Sequence, residues 1–333
     1  MRNPLGITTI AAFAAIVAAC GGPTDAVQPT AQIGDLPTTG SFTQGLARTL
    51  TDNLLYCSGG RVAGVGTITA HDDTTWTVPA STAFQTGPRA ADLYNECGGT
   101  MLASSDEIDL EAIPITEIDP DGDVITAYVF ADNYFELHVA GTLVAVDPVP
   151  FTPFNSNVVR FRARRPFSVA VLLVDWEENL GLGTERGGGS PYHPGDRGLV
   201  ARFEDAAGRP IGKTSADWKA LALYIAPFAN PECIALQGME RLSRDCVSEV
   251  TEGGDNLYGV HWGLPDGWAE ENFDDHGCPD ARTFTNETVG VDNKPAYTNF
   301  LDIWDDPEFD PVFIWSDNLV LDNLVLVRGR ISS

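Results

Sequence analysis

Apolar and polar positions alternate along much of the chain in short runs that are separated by Gly, Pro, Asn and Asp. The runs are dense in Val, Ile, Thr, Phe and Tyr, a composition and period that predict β-strands, and helix signals are few. The predicted strands are Val62–Ala70, Trp76–Pro79, Val124–Ala131, Tyr134–Val139, Leu143–Val146, Val158–Ala163, Phe167–Asp175, Gly198–Glu204, Trp218–Ile225, Val312–Trp315 and Leu319–Val327. Many short strands without amphipathic helices between them predict an all-β fold, an antiparallel β-sandwich or jelly roll with long loop insertions.

Three local features refine this prediction. The strands on either side of Asp132-Asn133 are expected to form a hairpin, and the last two strands to form a closing pair. The nearly continuous apolar run Phe167–Asp175 is expected to be fully buried between two sheets.

Several of these strands resemble the galactose-binding-like jelly roll found in accessory domains of glycoside hydrolases. The similar segments are Ala131–Gly141, Val158–Phe161, Phe167–Val171, Gly198–Phe203, Ser215–Lys219 and Asn318–Leu326. They cover 125–225 and the closing strand 312–327, and an irregular insertion of about 227–311 matches nothing. Ala140 stands where the family usually has asparagine before the hairpin glycine. The resemblance implies a two-sheet sandwich that binds carbohydrate without catalysis.

The first twenty residues predict export. A basic start, Met1-Arg2, precedes a small and apolar stretch that ends in Val17-Ala18-Ala19-Cys20. The stretch is too short for a permanent membrane span and fits a signal peptide over 1–19. The last four residues resemble the lipobox of bacterial lipoproteins, which implies lipidation of Cys20 and membrane anchoring outside the cytoplasm. In a cell with two membranes, Gly21 favours the outer membrane or cell surface.

Composition separates a tether from a folded domain. Residues 20–40 are rich in Pro, Thr and Gly, which predicts a flexible tether ahead of a β-sandwich domain over 41–333. The 333-residue chain has a formal net charge of −27 and only three lysines. Such a charge repels nucleic acid. The family resemblance implies a glycan as the partner, and the lipid anchor implies a membrane.

Five cysteines remain when Cys20 is set aside. Disulfides are expected outside the cytoplasm, so five cysteines predict two bridges and one spare thiol. Closeness in sequence favours Cys233 with Cys246 and Cys57 with Cys97, which leaves Cys278.

The candidate ligand site lies in two loops after the buried strand. Sugar sites combine an aromatic face with carboxylates and amides that bind hydroxyl groups. The loops 175–183 and 187–196 supply these types, and a second aromatic cluster lies at 258–268. The candidate ligand-binding residues are Trp176, Glu177, Asn179, Tyr192 and His193, with Trp262 and Trp268 from the second cluster.

Catalysis has weaker support in the sequence. His261 or His276 with Asp275 would make an acid-base pair for a hydrolase acting on polysaccharide or another polymer. No Gly-x-Ser-x-Gly, His-Glu-x-x-His or Walker motif occurs, so no catalytic residue is assigned.

Calcium is the one cofactor that the sequence suggests. Asp119, Asp121 and Asp123 offer carboxylates at alternate positions, as calcium loops do, although glycine comes too early for an EF-hand. In an acidic chain the alternative is a solvated turn.

Three functions remain open at this point. The favoured one is a membrane-anchored lipoprotein with a non-catalytic, carbohydrate-binding sandwich. The alternatives are an extracytoplasmic hydrolase and a structural or adhesive surface protein, the last recognisable by an exposed apolar patch without a cleft.

Overall fold

Most of the described chain is β-strand. The structure is a computed structural model that describes residues 40–56, 62–149, 154–186, 191–195, 197–248 and 254–332. In chain order the strands are β1 (Ser41–Gln44), β2 (Arg48–Tyr56), β3 (Val62–Thr69), β4 (Thr75–Val78), β5 (Ala91–Asn95), β6 (Thr100–Met101), β7 (Ile115–Glu117), β8 (Asp123–Asp132), β9 (Tyr134–Val139), β10 (Thr142–Val146), β11 (Ser156–Ala163), β12 (Phe167–Val174), β13 (Gly198–Asp205), β14 (Pro210–Lys213), β15 (Lys219–Phe228), β16 (Ala235–Gln237), β17 (Glu240–Leu242), β18 (Tyr258–His261), β19 (Arg282–Phe284), β20 (Phe313–Trp315) and β21 (Asp322–Ile331).

Helices are short and few in these ranges. The α-helices are α1 (Asn286–Val289), α2 (Pro295–Thr298) and α3 (Leu301–Trp304), and single 3-10 turns lie at Ser105–Glu107, Leu110–Ala112 and Pro231–Cys233. None of the helices within the described residues has the length and apolar character needed to cross a membrane.

Two large sheets pack face to face, which confirms the predicted all-β sandwich. The seven-stranded sheet has the order β1-β18-β15-β21-β12-β9-β10. The nine-stranded sheet has the order β19-β20-β13-β8-β11-β5-β6, with β14 on β13 and β7 on β11. Among the named strands of the described ranges, β7 with β11 is the one parallel pair. Strands β2, β3 and β4 form a smaller sheet, and β16 pairs with β17.

Successive strands alternate between the two large sheets, as in a jelly roll. Strand β8 lies in the nine-stranded sheet, β9 and β10 in the seven-stranded sheet, and β11, β12 and β13 continue the alternation. The predicted hairpin across Asp132-Asn133 is therefore wrong, and β9 forms its hairpin with β10 instead. The predicted closing pair is also wrong, because β20 and β21 belong to different sheets. Because the two strands of each predicted pair lie in opposite sheets, both of them bury apolar side chains in the core between the sheets.

Strand β12 explains how one strand can be buried on both faces. Val171 and Leu173 point into the core between the sheets, whereas Leu172 and Val174 belong to a second apolar cluster on the outer face of the seven-stranded sheet. The predicted full burial is confirmed. The strand is central in one sheet rather than sandwiched between two sheets, and each of its faces has its own cover.

The cover of the outer face comes from two distant parts of the chain. Residues Ile68, Val78 and Phe84 come from the segment before β5, and Ile234 and Trp262 come from the segment after β15. The outer face of this sheet is therefore packed against protein, and the surface available to a ligand is displaced to the ends of the sandwich.

The region 227–311 is joined to both sheets. Strand β18 inserts between β1 and β15, and β19 pairs with β20 at the edge of the nine-stranded sheet. Tyr297 and Trp304, from α2 and α3, are buried against Phe130 of β8 on the outer face of the nine-stranded sheet, the face on which Arg202 of β13 donates to the carbonyl of Asp302.

The cysteine predictions have a mixed outcome. Cys233 and Cys246 form a disulfide with a Cα–Cα distance of 5.0 Å, as predicted. Cys278 is also disulfide-bonded, so the expected spare thiol is wrong for this residue. Cys97 is disulfide-bonded, but Cys57 and Cys20 lie outside the described residues, so the pairing of Cys57 with Cys97 and the lipidation of Cys20 stay predictions.

Candidate functional site

The two loops proposed to carry the ligand site do meet. Strand β12 ends at Val174 and β13 begins at Gly198, so both loops leave the sandwich at the same end. The backbone N–H of Glu185 donates to the carbonyl of His193 at 2.8 Å, and the N–H of His193 returns a bond at 2.9 Å. Within the first loop, the N–H of Asn179 donates to the carbonyl of Thr184 at 3.0 Å. We call this side of the molecule the loop end, formed by residues 44–48, 175–186, 191–195, 197, 254–257 and 316–321.

Trp176 does not face the loop surface. Its side chain is 1% exposed, and its indole N–H donates to the carbonyl of Gly64 at 2.6 Å. Its ring packs edge-on against Tyr134 and Phe84. The prediction of a sugar platform at Trp176 is therefore wrong. Trp176 lies two residues after Val174 and belongs to the same apolar cluster on the outer face of the seven-stranded sheet. The segment before β5 covers it there.

Glu177 is also internal. The N–H of Gly181 donates to its carboxyl at 2.6 Å, and the side chain is 1% exposed. Burial raises the pKa of Glu177 to about 7, because its N–H donors and the nearby Tyr224 hydroxyl offset only part of the desolvation. The residue therefore fixes the path of the first loop and does not present its carboxyl to a ligand.

A buried ion pair anchors the loop end from inside. Arg197 is fully buried and donates to the carboxylate of Asp175, to Asn323 Oδ1 at 2.5 Å and to the carbonyl of Leu319 at 3.2 Å. The amide of Asn323 donates to the carbonyl of Ala226 at 2.8 Å. The Arg197 guanidinium thus joins the ends of β12 and β21, and the Asn323 amide extends the connection to β15.

Close packing around Asn323 requires glycine at position 183. A Cβ on Gly183 would lie 2.4 Å from the Asn323 amide nitrogen, and the φ of Gly183 is +57°. Sequence reasoning missed Arg197 and Asn323 as organisers of this region. The signal available was Asn323 within the Leu-Asp-Asn segment of the family resemblance.

The remaining candidate residues of the two loops reach the surface. Asn179 and Tyr192 are partly exposed, and His193 is exposed. The guanidinium of Arg186 lies 5.7 Å from the centre of the Tyr192 ring. The Nδ1–H of His193 donates to the carbonyl of Pro194 at 3.0 Å, which leaves Nε2 as an acceptor in the neutral imidazole.

Acidic groups border the same surface. A Glu178 carboxylate oxygen accepts from the N–H of Arg186 at 2.5 Å, and Glu185 carries the backbone bonds to His193. The paired loops therefore present one aromatic ring beside carboxylate, imidazole and guanidinium groups. This set can stack on a sugar ring and bind its hydroxyl groups.

The second aromatic cluster does not form one site. Trp262 is buried under the guanidinium of Arg241, which lies 4.3 Å from the ring centre. Trp268 is partly exposed and packs edge-on against His138 at 4.7 Å. The two tryptophans cover the outer face of the seven-stranded sheet separately, so the prediction that they flank a ligand is wrong.

The acid-base pair suggested for a hydrolase is also not assembled. His261 is buried between Tyr224 and Trp76, and burial lowers its pKa to about 3. Asp275 forms an ion pair with Arg328 at 3.0 Å, and His276 is exposed. An interior imidazole that stays neutral cannot exchange protons with a surface carboxylate.

The acidic loop that suggested calcium is neutralised by arginine. The guanidinium of Arg164 lies 3.3 Å from the Asp119 carboxylate and 3.5 Å from that of Asp121, and Arg165 lies 2.9 Å from that of Asp123. In the part of the chain that the structure describes, no group of three or more His, Cys, Asp or Glu side chains could hold a metal ion. The calcium prediction for these three residues is therefore wrong.

Comparison with known proteins gives no match to a family model, a curated protein or a solved structure. The fold class consequently rests on the strand order itself, and the galactose-binding-like resemblance stays a prediction.

Proposed function

We propose that this protein is a membrane-anchored extracytoplasmic lipoprotein whose β-sandwich binds glycan, without catalysis, at the paired loops of the loop end. The observation that carries the binding proposal is the two-way backbone pairing of Glu185 with His193. It brings Tyr192 and His193 to the surface beside Glu178 and Arg186. The anchoring proposal rests on the N-terminal sequence that ends at Cys20.

The mode of binding follows from these groups. The Tyr192 ring offers a flat apolar surface to the axial C–H groups of a sugar, and the His193 Nε2 accepts from a hydroxyl group. The carboxylates of Glu178 and Glu185 accept hydrogen bonds from further hydroxyl groups. Because one ring is present instead of a row of rings, the site fits one or two sugar units of a longer chain.

A binding experiment with matched variants tests this proposal. We expect the purified protein to bind at least one polysaccharide on a glycan array or affinity gel. Tyr192→Ala should weaken binding about tenfold, which is about 1.4 kcal/mol, because it removes the stacking surface. Tyr192→Phe, which keeps the ring, should retain most of the affinity. Trp176→Phe serves as the control, since that residue contributes only to the core.

Absence of binding across broad panels, or equal affinity of Tyr192→Ala and the unmodified protein, would contradict the glycan proposal. Anchoring is tested separately by the Cys20→Ser variant. That variant should lose labelling by a fatty-acid probe and move from the membrane fraction to the soluble fraction.

An adhesive or structural role is the second candidate, and exposed apolar side chains favour it. Leu46, Val247 and Val320 are 48%, 60% and 41% exposed. Leu46 and Val320 belong to the loop end, and Val247 is bonded to Ala229 just beyond the end of β15. Large apolar side chains on one side of a protein are typical of a surface that contacts another macromolecule. Sedimentation of the Val247→Ser, Val320→Ser double variant against the unmodified protein would reveal self-association through this surface.

A further inference from the structure

The segment between β18 and β19 covers part of the outer face of the seven-stranded sheet. Residues 264–277, which the structure describes throughout, form turns without a strand or helix. We call this segment the strap. Its two ends are fixed, because the N–H of Trp262 donates to the carbonyl of Leu223 at 2.8 Å and Cys278 is disulfide-bonded. Movement of the strap would therefore be a local event between two fixed points.

Charged side chains hold the strap to the sheet. Arg328 of β21 forms an ion pair with Asp275 at 3.0 Å. The carboxylate of Glu271 accepts from the backbone N–H of Ser168, in β12, at 2.7 Å and from Arg330 at 2.8 Å. These polar contacts are few for a segment of this length, so the closed position of the strap depends also on how its aromatic side chains pack.

One of the packing contacts involves an ionisable ring. Trp268 of the strap packs edge-on against His138 of β9, with the ring centres 4.7 Å apart. Both ring nitrogens of His138 are buried and have no hydrogen-bond partner. A buried neutral imidazole without partners already costs free energy, and a buried imidazolium, which adds a charge, costs more. The closed strap therefore accommodates the neutral ring better than the protonated one.

The surroundings of His138 do not offset that cost. The residues paired with it on the neighbouring strands are Leu143 of β10 and Ala170 of β12, both apolar. Glu136, on the same face of β9, accepts from the Tyr134 hydroxyl at 3.0 Å. Burial lowers the pKa of His138 to about 4. The other ionisable groups on this side, from the strap and β21, are Glu270, Glu271, Asp275, Arg328 and Arg330, of which the last four are joined in ion pairs.

We propose that the strap is an acid-released cover: protonation of the His138 ring displaces Trp268, and the strap then leaves the outer face of β9, β12 and β21. In the released state the imidazole is hydrated and takes up a proton near its ordinary value of about 6.5. The closed state is therefore fully favoured above about pH 6.5 and loses stability as pH falls toward 4. Release would expose the rings of Trp268 and Phe273, which now pack on the apolar cluster of that face.

The polar contact of the strap acts in the same direction at lower pH. The hydrogen bonds from Ser168 and Arg330 outweigh burial and lower the pKa of Glu271 from 4.5. The stability that this contact contributes is therefore present above about pH 4.5 and is lost as pH falls below that value. His138 is consequently the group that begins the release, and Glu271 adds to it only in stronger acid.

The test must be local, because Glu177 and Asp322, whose pKa burial raises to about 7, stabilise the whole protein as pH falls. Hydrogen exchange of the purified protein meets this need, and the Ser168 amide is a direct probe, since its N–H is bonded to the strap. After correction for the intrinsic effect of pH on exchange, protection of Ser168 and of 264–277 should fall about a hundredfold from pH 7 to pH 4. Strand β15 should stay protected.

His138→Phe is the matched variant, because it keeps an aromatic ring against Trp268 and cannot be protonated. Its strap should lose no more than about tenfold of protection over the same range, through Glu271. If this variant does not fold, NMR titration of the His138 ring in the unmodified protein should give a pKa of about 4. Equal loss of protection in His138→Phe, a His138 pKa near the ordinary value of about 6.5, or simultaneous loss of protection in β15 would overturn the proposal.

Discussion

The two ends of the sandwich differ in how far their ion pairs are exposed to water. At the loop end, Arg197 and Asp175 form an ion pair that is almost completely shielded from water, with side chains that are 0 and 8% exposed. At the other end, which we call the charged end and which includes 118–123, 163–166 and 268–276, several ion pairs lie at the surface. Arg164, for example, is 64% exposed beside Asp121, which is 86% exposed.

The difference teaches that charge density is a poor guide to a site in this chain. The charged end is rich in carboxylates, including those of the acidic loop that suggested calcium. Arginine side chains form ion pairs with them. The glycan proposal therefore rests on the paired loops, which Glu185 and His193 join, and not on the end with the most carboxylates.

The largest expected effect concerns the buried ion pair. Arg197→Met should lower the free energy of unfolding by about 3 to 5 kcal/mol, because it removes the guanidinium that balances the charge of the buried Asp175 carboxylate. Urea unfolding followed by tryptophan fluorescence measures this change. The double variant Arg197→Met, Asp175→Asn should recover part of the loss. A loss below about 1 kcal/mol in the single variant would mean that water reaches this pair.

An intermediate effect is expected from pH. Burial raises the pKa of Glu177 from 4.5 to about 7, so the folded protein holds a proton that the unfolded chain releases between those values. Stability from this group is therefore complete below about pH 4.5 and is lost as pH rises to about 7, by about 2 to 3 kcal/mol. Asp322, whose pKa burial also raises to about 7, acts in the same direction.

The Glu177→Gln variant isolates that contribution. A glutamine keeps the shape and an acceptor for the N–H of Gly181, but it does not ionise. Thermal unfolding measured from pH 4.5 to 7.5 should show a shallower decline in the variant than in the unmodified protein. Identical pH profiles would show that Glu177 does not titrate in this range.

The smallest effect is expected at the charged end. Arg164→Ala should change the free energy of unfolding by no more than about 0.5 kcal/mol, because exposed ion pairs contribute little. Urea unfolding beside the Arg197→Met variant gives the direct comparison of the two ends. A loss comparable to that of Arg197→Met would remove the contrast between them.

Several predictions from the sequence are confirmed because they depend only on residues that lie close together along the chain. The positions of β9 and β12 follow from alternation and apolar runs that neighbouring residues define. The Cys233–Cys246 disulfide follows from closeness along the chain. The site predictions fared less well, because Trp176 and His261 were assigned from residue type, and residue type does not reveal which side of a strand or loop the fold will cover.

The case of Trp176 shows the limit most clearly. Strand β12 is buried on both faces, so the alternation that normally separates inside from outside is absent at its end. The cover over Trp176 comes from Gly64 and Phe84, about a hundred residues earlier in the chain. No local pattern connects these positions. Tyr192 and His193 remain at the surface because the second loop has no such cover.

By itself the sequence determined that this chain would form many short antiparallel strands with a large apolar core, since that outcome depends on residue type and period. Tertiary structure alone decided that β8 and β9 lie in opposite sheets and that distant segments cover the outer face of the seven-stranded sheet. The tertiary structure also decided which carboxylates form ion pairs with arginine side chains. The physical reason is that strand pairing and charge pairing join residues far apart in sequence, and their partners are fixed only when both sheets close on a common core.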